Sequence, residues 1–220
     1  MQETEKIASW IKNNAKEIIA NIEYESIEVY EYLSRQFKES DVSENPLFQF
    51  VYRSYYRIDN AGLTQEFKKE YFNLLEEFKV KKELEIIEII DRLYKYRNLK
   101  DQKSIQFSFA TKLVNTIDKK TPIYDSKVCR VFNFKNPPQK SFDKKVNKYL
   151  EQLSIISATY HDILDSGLLS KVIFMFDCKF ENNLSPVNKL DFIFWSAGKI
   201  LTKNDKKNSF ENSISKITSV

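Results

Sequence analysis

Apolar residues recur three and four positions apart along most of the chain, which is the spacing that places side chains on one face of a helix. The segment "ELEIIEIIDRLYKY" at 83–96 is the most strongly amphipathic example. Helix start signals precede several such segments: Asn45-Pro46, Thr64, Ser141 and Ser185-Pro186. The pattern predicts helices at about 3–22, 26–37, 45–58, 64–78, 83–96, 105–117, 125–134 and 141–164, one after Gly167 and one from Pro186.

Turn-forming residues are scarce, since the 220 residues include only 3 glycines and 5 prolines, fewer than a sheet-rich protein needs. We therefore expect an all-α fold of about nine or ten helices, packed as a bundle around one or two cores. Residues 1–202 would form a single helical domain, either one body or two lobes with a cleft between them. Residues 203–220 are rich in Lys, Asn and Ser, and we expect them to form a flexible polar tail.

Composition narrows the classes of function. No apolar run is long enough to span a membrane, and the N-terminal segment is acidic, unlike a signal peptide, so we expect no membrane partner and a cytoplasmic location. Two cysteines and one histidine cannot supply a four-cysteine metal site, and we expect no metal and no cofactor. The net charge of +4 is small, so nucleic-acid binding would depend on a local basic patch.

The stretch "SFATKLVNTIDKKTPIYDSKVCRVF" at 108–132 holds the candidate chemistry. Lys112 falls beside the apolar stripe of its predicted helix, and Asp125 stands where the next helix begins. A carboxylate at a helix N-terminus is stabilised by free backbone amides. Two interpretations are open: Asp125 is a helix cap and Lys112 extends to solvent, or the two groups face one another across a site.

The residues "ATK" before one helix and "PIYDSKV" at the start of another resemble the core of the helix-hairpin-helix DNA glycosylase superfamily, with the 8-oxoguanine glycosylase branch the most similar. The resemblance is specific over about 25 residues and extends through helix order over roughly 45–200. It implies that Asp125 is the catalytic aspartate and Lys112 the catalytic lysine. It also implies a helix-hairpin-helix fold, base flipping, and cleavage of an N-glycosidic bond in double-stranded DNA that carries a damaged or modified base.

The hairpin before the lysine is glycine-rich in that family, whereas "RNLKDQKSIQFSFATK" contains no glycine. Side chains would then contact the DNA phosphate in place of backbone amides, and Lys100, Lys103 and Ser104 are the candidates. Lys127 and Arg130, after Asp125, offer a second route for the DNA backbone.

A further candidate surface is "FVYRSYYRIDNAG" at 50–62. Arg53 and Arg57 are four residues apart, which predicts one helical face next to Tyr56, suited to phosphate contact and base stacking. Asn60 occupies the place where the resembled family inserts a polar residue into the duplex. The alternative is an amphipathic helix whose tyrosines line the core.

Two tyrosines, Tyr52 and Tyr124, are the predicted walls of the base pocket. The segment "FIFWSAGK" at 192–199 instead reads as the end of a core helix, with Trp195 packed and Gly198 close to the C-terminal cap.

We therefore expect the protein to be a monomeric DNA glycosylase, with or without lyase activity, that acts in DNA repair or in defence against phage. The alternative is a non-enzymatic helical module that binds nucleic acid or protein. The two differ in geometry: an enzyme needs Lys112 and Asp125 to open into one cleft, whereas a module leaves Lys112 in solvent.

Overall fold

The computed structural model describes residues 2–81 and 84–217, and the side chains of 3–81 and 84–203. Within these ranges the chain forms eleven α-helices and one short 3-10 turn, with no strand, which confirms the all-α prediction. The helices are α1 Gln2–Asn13, α2 Ala15–Ala20, α3 Tyr24–Glu39, α4 Pro46–Tyr55, α5 Gln65–Val80, α6 Ile86–Tyr94, α7 Phe107–Ile117, α8 Ser126–Val131, α9 Phe142–Asp165, α10 Ser170–Lys179 and α11 Pro186–Ile217. The first residue of the predicted 83–96 helix lies outside the described residues.

Several predicted helix starts are confirmed by side-chain caps. The Asn45 side chain accepts the Phe48 amide at 3.0 Å before α4. The Thr64 hydroxyl accepts an amide at 3.3 Å before α5. Ser185 does the same for Asn188 at 3.1 Å before α11. Each cap satisfies a helix-terminal amide that has no partner within the helix.

Several helices differ from their predicted bounds, and the first and the last differ most. The single helix predicted at 3–22 is divided at Asn14, whose side-chain amide donates to the Trp10 carbonyl at 2.8 Å and so competes with the helical ladder. The last helix continues to Ile217, well past residue 202, so Gly198 lies inside it and not near its end. The side chains after Lys203 and residues 218–220 lie outside the described part, and the flexible tail stays a prediction.

Helix α7 lies in the middle of the core, and almost every residue from Phe107 to Thr116 is buried. A tyrosine pair fixes it from the side of α4 and α5: the Tyr52 hydroxyl is 3.0 Å from both the Tyr71 and the Thr116 hydroxyls. Tyr71 in turn donates to the Phe109 carbonyl at 2.9 Å. Lys112 is therefore a charged residue on a helix that is otherwise surrounded by protein.

Helix α8 packs directly on α11, and Gly198 makes this contact possible. A Cβ atom at residue 198 would lie 1.9 Å from the Lys127 carbonyl oxygen, far inside van der Waals contact. The absence of a side chain thus lets the backbone of α8 touch α11. This contact sets the position of the α8 N-terminus, where Asp125 is located.

Candidate active site

A cavity of about 780 Å³ opens between α3, the end of α4, α7, the start of α8 and α11. Its walls combine aromatic side chains with charged ones. The aromatic wall residues are Tyr30, Tyr55, Tyr56, Phe109, Phe192 and Trp195. The charged wall residues are Glu23, Arg57, Lys112, Asp125, Lys127, Asp191, Lys199 and Lys203.

Lys112 and Asp125 meet in the wall of this cavity. Lys112 Nζ lies 3.3 Å from Asp125 Oδ2, and the two side chains are only 10% and 19% exposed. The same Nζ donates to Ser108 Oγ at 3.2 Å, and it lies 5.1 Å and 5.7 Å from the ring centres of Phe109 and Tyr56. The amine is thus held between a carboxylate, a hydroxyl and two aromatic faces, and it does not extend to solvent.

Asp125 is the N-cap of α8, as predicted. Its Oδ1 accepts the Lys127 amide at 2.9 Å, while Oδ2 takes the contact from Lys112. Capping and pairing therefore use different oxygens of one carboxylate. The two interpretations of Asp125 are compatible, because a cap fixes the carboxylate and still leaves one oxygen for the cavity.

The turn before Asp125 is fastened to the helices around it. The Thr111 hydroxyl on α7 accepts the Tyr124 amide at 3.1 Å. The Asn115 side chain on the same helix donates to the Thr121 carbonyl at 2.7 Å, and Asp191 on α11 accepts the Ile123 amide at 3.1 Å. These bonds explain why the chain has a rigid turn at this point: the turn fixes Asp125 opposite Lys112.

Helix α11 supplies a wall that the sequence analysis missed. Asp191, Phe192 and Trp195 face the cavity from this helix, whereas the sequence predicts only core packing for 192–199. Burial raises the pKa of Asp191 well above its usual range. The pKa of Tyr55 is also raised, first by burial and second by the neighbouring Asp191 carboxylate. An aspartate inside the apolar run "KLDFIFW" was the available signal, because an apolar helix face rarely carries a buried carboxylate without a role.

The predicted DNA-binding residues near α4 divide between two places. Tyr56 and Arg57 line the cavity. Arg53 instead pairs with Asp59 at 3.2 Å. The prediction that Arg53 and Arg57 share a helical face is wrong, because α4 ends at Tyr55 and Arg57 has a left-handed backbone with φ of 57°.

Of the remaining predicted DNA-binding residues, Lys127 lines the cavity and the others lie on the protein surface. The Lys127 Nζ donates to Thr202 Oγ1 at 3.2 Å. Arg130 is exposed on α8 and already takes part in an interaction within the protein. Asn60, Lys100, Lys103 and Ser104 are exposed and do not line the cavity. Their two loops are joined, because the Leu99 amide donates to the Gly62 carbonyl at 2.8 Å.

Tyr52 and Tyr124, the predicted base-pocket residues, do not lie in the cavity wall. Tyr52 is fully buried, with its hydroxyl bound by the Tyr71 and Thr116 hydroxyls. The Tyr124 hydroxyl donates to Gln152 on α9 at 2.6 Å. Both tyrosines support the helix that carries Lys112, and the neighbouring Tyr55 and Tyr56 form the wall instead.

No group of three or more metal-ligating side chains is assembled among the described residues. Over the same residues no helix is both long and apolar enough to cross a membrane. Comparisons with protein families, with curated proteins and with solved structures gave no match.

Proposed function

We propose that this protein is a DNA glycosylase of the helix-hairpin-helix type, which takes a damaged or modified base out of the duplex and cleaves its N-glycosidic bond. The observation that carries the proposal is that Lys112 and Asp125 meet in the wall of one cavity that is rich in aromatic side chains. A cavity of about 780 Å³ lies within the usual range for ligand pockets, and its rings offer faces on which an extruded base can stack.

Asp125 provides the negative charge that this reaction needs. As the C–N bond breaks, the base leaves with the electron pair and positive charge develops on the sugar. A carboxylate fixed by a helix N-terminus and a lysine is already oriented, so it stabilises that charge without reorganisation. In a hydrolytic route Asp125 takes a proton from water, whose oxygen bonds to the sugar carbon, and the departing base takes up a proton from solvent.

Lys112 allows a second route. A neutral amine attacks the sugar carbon and displaces the base, which leaves with the electron pair of its C–N bond. The bound nitrogen then loses a proton and the sugar ring opens as its C–O bond breaks, which leaves a Schiff base; elimination from that Schiff base later leads to strand cleavage. The ammonium must first lose a proton, and Asp125 is the carboxylate in contact with it. In the hydrolytic route the same lysine acts as the charge partner of Asp125.

The non-enzymatic module is less well supported. That alternative leaves the lysine in solvent, whereas Lys112 is 8% exposed and faces the cavity. A buried ion pair costs desolvation free energy, and packing alone gives no reason to direct one into a cavity wall.

The test is incubation with duplexes that each carry one modified base, followed by an assay for abasic sites. Asp125→Asn should lower base release by at least about 10²-fold, since the charge is lost. The fold should be kept, because Asn and Asp cap helices about equally well. Asp118→Asn is the matched control: it lies in the same turn and accepts the Lys120 amide and the Thr121 hydroxyl, but it is not in this cavity.

Two results would contradict the proposal. The proposed activity is excluded if the wild-type protein releases no base from any duplex of the panel. The proposed role of Asp125 is excluded if a folded Asp125→Asn variant releases base as fast as the wild type.

A further inference from the structure

Four cationic side chains converge at the cavity from three separate parts of the chain. Arg57 follows α4, Lys127 lies in the first turn of α8, and Lys199 and Lys203 lie one turn apart on α11. Within the described residues none of the four forms a salt bridge with a carboxylate. Lys127 bonds a hydroxyl, that of Thr202, and Lys199 lies 4.4 Å from the ring centre of Trp195.

The four cations are close enough to influence one another. Burial lowers the pKa of Lys199. Among the neighbouring charges, Glu23 raises this pKa most, and Lys203, Arg57 and Lys127 each lower it. Like charges that are brought together repel, and the repulsion lowers stability, although Glu23 offsets part of it here. Such an arrangement favours an anionic ligand, which would remove the repulsion when it binds.

Backbone packing creates this proximity. Because Gly198 lets the Lys127 carbonyl touch α11, the α8 lysine lies beside the helix that carries Lys199 and Lys203. On α11 these two lysines are on the same face, with a spacing of four residues. The cluster is therefore a product of the same contact that places Asp125 at the cavity.

We propose that Arg57, Lys127, Lys199 and Lys203 hold the DNA phosphates on either side of the extruded nucleotide. This inference rests on the proposed glycosylase function and extends it by adding two residues of α11, Lys199 and Lys203, to the DNA path. A free nucleotide shares the phosphate chemistry. The DNA backbone is favoured because the cations come from three parts of the chain around one cavity, and one terminal phosphate cannot engage all of them.

The test is a salt titration of binding to a duplex with a single tetrahydrofuran abasic-site analogue. Each phosphate neutralised contributes about 0.9 to the slope of log affinity against log salt. Lys199→Gln/Lys203→Gln should therefore reduce that slope by about 1.8 relative to the wild type. Lys144→Gln/Lys148→Gln is the control, because it removes the same charge at the same spacing from α9, outside the cavity, and should leave the slope near the wild-type value.

Thermal unfolding of both double variants shows whether they are folded. Should the α11 variant not fold, Arg57→Gln examines the same cluster from another wall, with an expected loss of about 0.9 in the slope. A slope equal to that of the wild type in a folded variant would overturn the proposal, as would an equal loss in the α9 control.

Two further measurements separate this inference from the proposed function. A nucleoside monophosphate should compete with the duplex only weakly, and competition at the affinity of the duplex would overturn the assignment to DNA backbone. Base release is assayed in parallel on the modified-base panel. If the wild type releases base but the α11 double variant keeps the wild-type slope, only the phosphate cluster is contradicted. If the double variant has a reduced slope but the wild type releases no base, only the glycosylase function is contradicted.

Discussion

Gly198→Ala gives a sharp test of how the α8–α11 contact controls the site. The added Cβ would lie 1.9 Å from the Lys127 carbonyl oxygen and 2.5 Å from the carbonyl carbon, where ordinary contact begins at 3.4 Å. The atoms it meets are backbone and cannot rotate away. Helix α8 must therefore move by roughly 1.5 Å, because close-packed interiors have no free volume to absorb the atom. Asp125, as the cap of that helix, moves with it.

The expected change in stability is small, because two effects oppose one another. Overpacking costs about 1–3 kcal/mol. Replacing a glycine inside a helix by alanine returns about 1 kcal/mol. The net loss of about 0–2 kcal/mol lowers the unfolding temperature by at most roughly 8 °C in a chain of this size. Base release should fall much more, by about 10²-fold, since a displacement near 1 Å has that effect on a positioned catalytic group.

The assay is base release from the duplex that the wild type cleaves best, measured together with thermal unfolding. Gly62→Ala is the control: a Cβ there meets nothing within 4 Å, although φ is +65°. It should cost about 1 kcal/mol through backbone strain and leave base release unchanged. A folded Gly198→Ala variant that releases base within twofold of the wild-type rate would refute the reasoning. So would an equal loss of activity in the Gly62 variant.

Two other predictions concern lysines. We expect Asp125 to act through water. Borohydride should therefore trap no covalent protein–DNA adduct with the wild type, and Lys112→Gln should keep part of the base release. A trapped adduct that the Lys112→Gln variant loses would establish the Schiff-base route instead. Burial lowers the pKa of Lys119 to about 7 from 10.5, so the unfolded chain binds more protons and this lysine makes stability rise with pH above about 7. Urea unfolding at pH 7 and pH 9 should show a smaller rise for Lys119→Met than for the wild type or the exposed control Lys120→Met, and equal rises would contradict the assignment.

Features that depend on a few adjacent residues could be predicted from the sequence. Asn45 and Thr64 cap their helices because each side chain reaches an amide only three residues ahead. Asp125 caps α8 for the same reason, with its partner two residues ahead. The all-α class follows from periodicity and from the scarcity of turn residues.

The walls of the cavity could not be predicted in this way. A helical apolar pattern shows that a residue is covered, but it does not distinguish a packed core from a cavity lined with rings. Tyr52 and Tyr55 illustrate this, since the first is buried in the core and the second lines the cavity. The left-handed backbone of Arg57 also depends on tertiary packing, because nothing in "SYYRID" requires the helix to end before the arginine.

The turn between α7 and α8 is held by contacts to its main chain. Thr111, Asn115 and Asp191 bind backbone amides or a carbonyl of the turn, and the Ser185 hydroxyl donates to the Lys119 carbonyl at 2.8 Å. None of these bonds depends on the identity of the side chain on the turn residue it reaches. Evolution can therefore exchange the side chains of 119–123 while the geometry of Asp125 is retained, except where proline would remove the amide of residue 123. Tyr124 is the exception in this turn, because its hydroxyl is bound to Gln152. Under the proposed function, substrate preference can diverge at Ile123, which lines the cavity, while the shape of the turn is inherited from the helices around it.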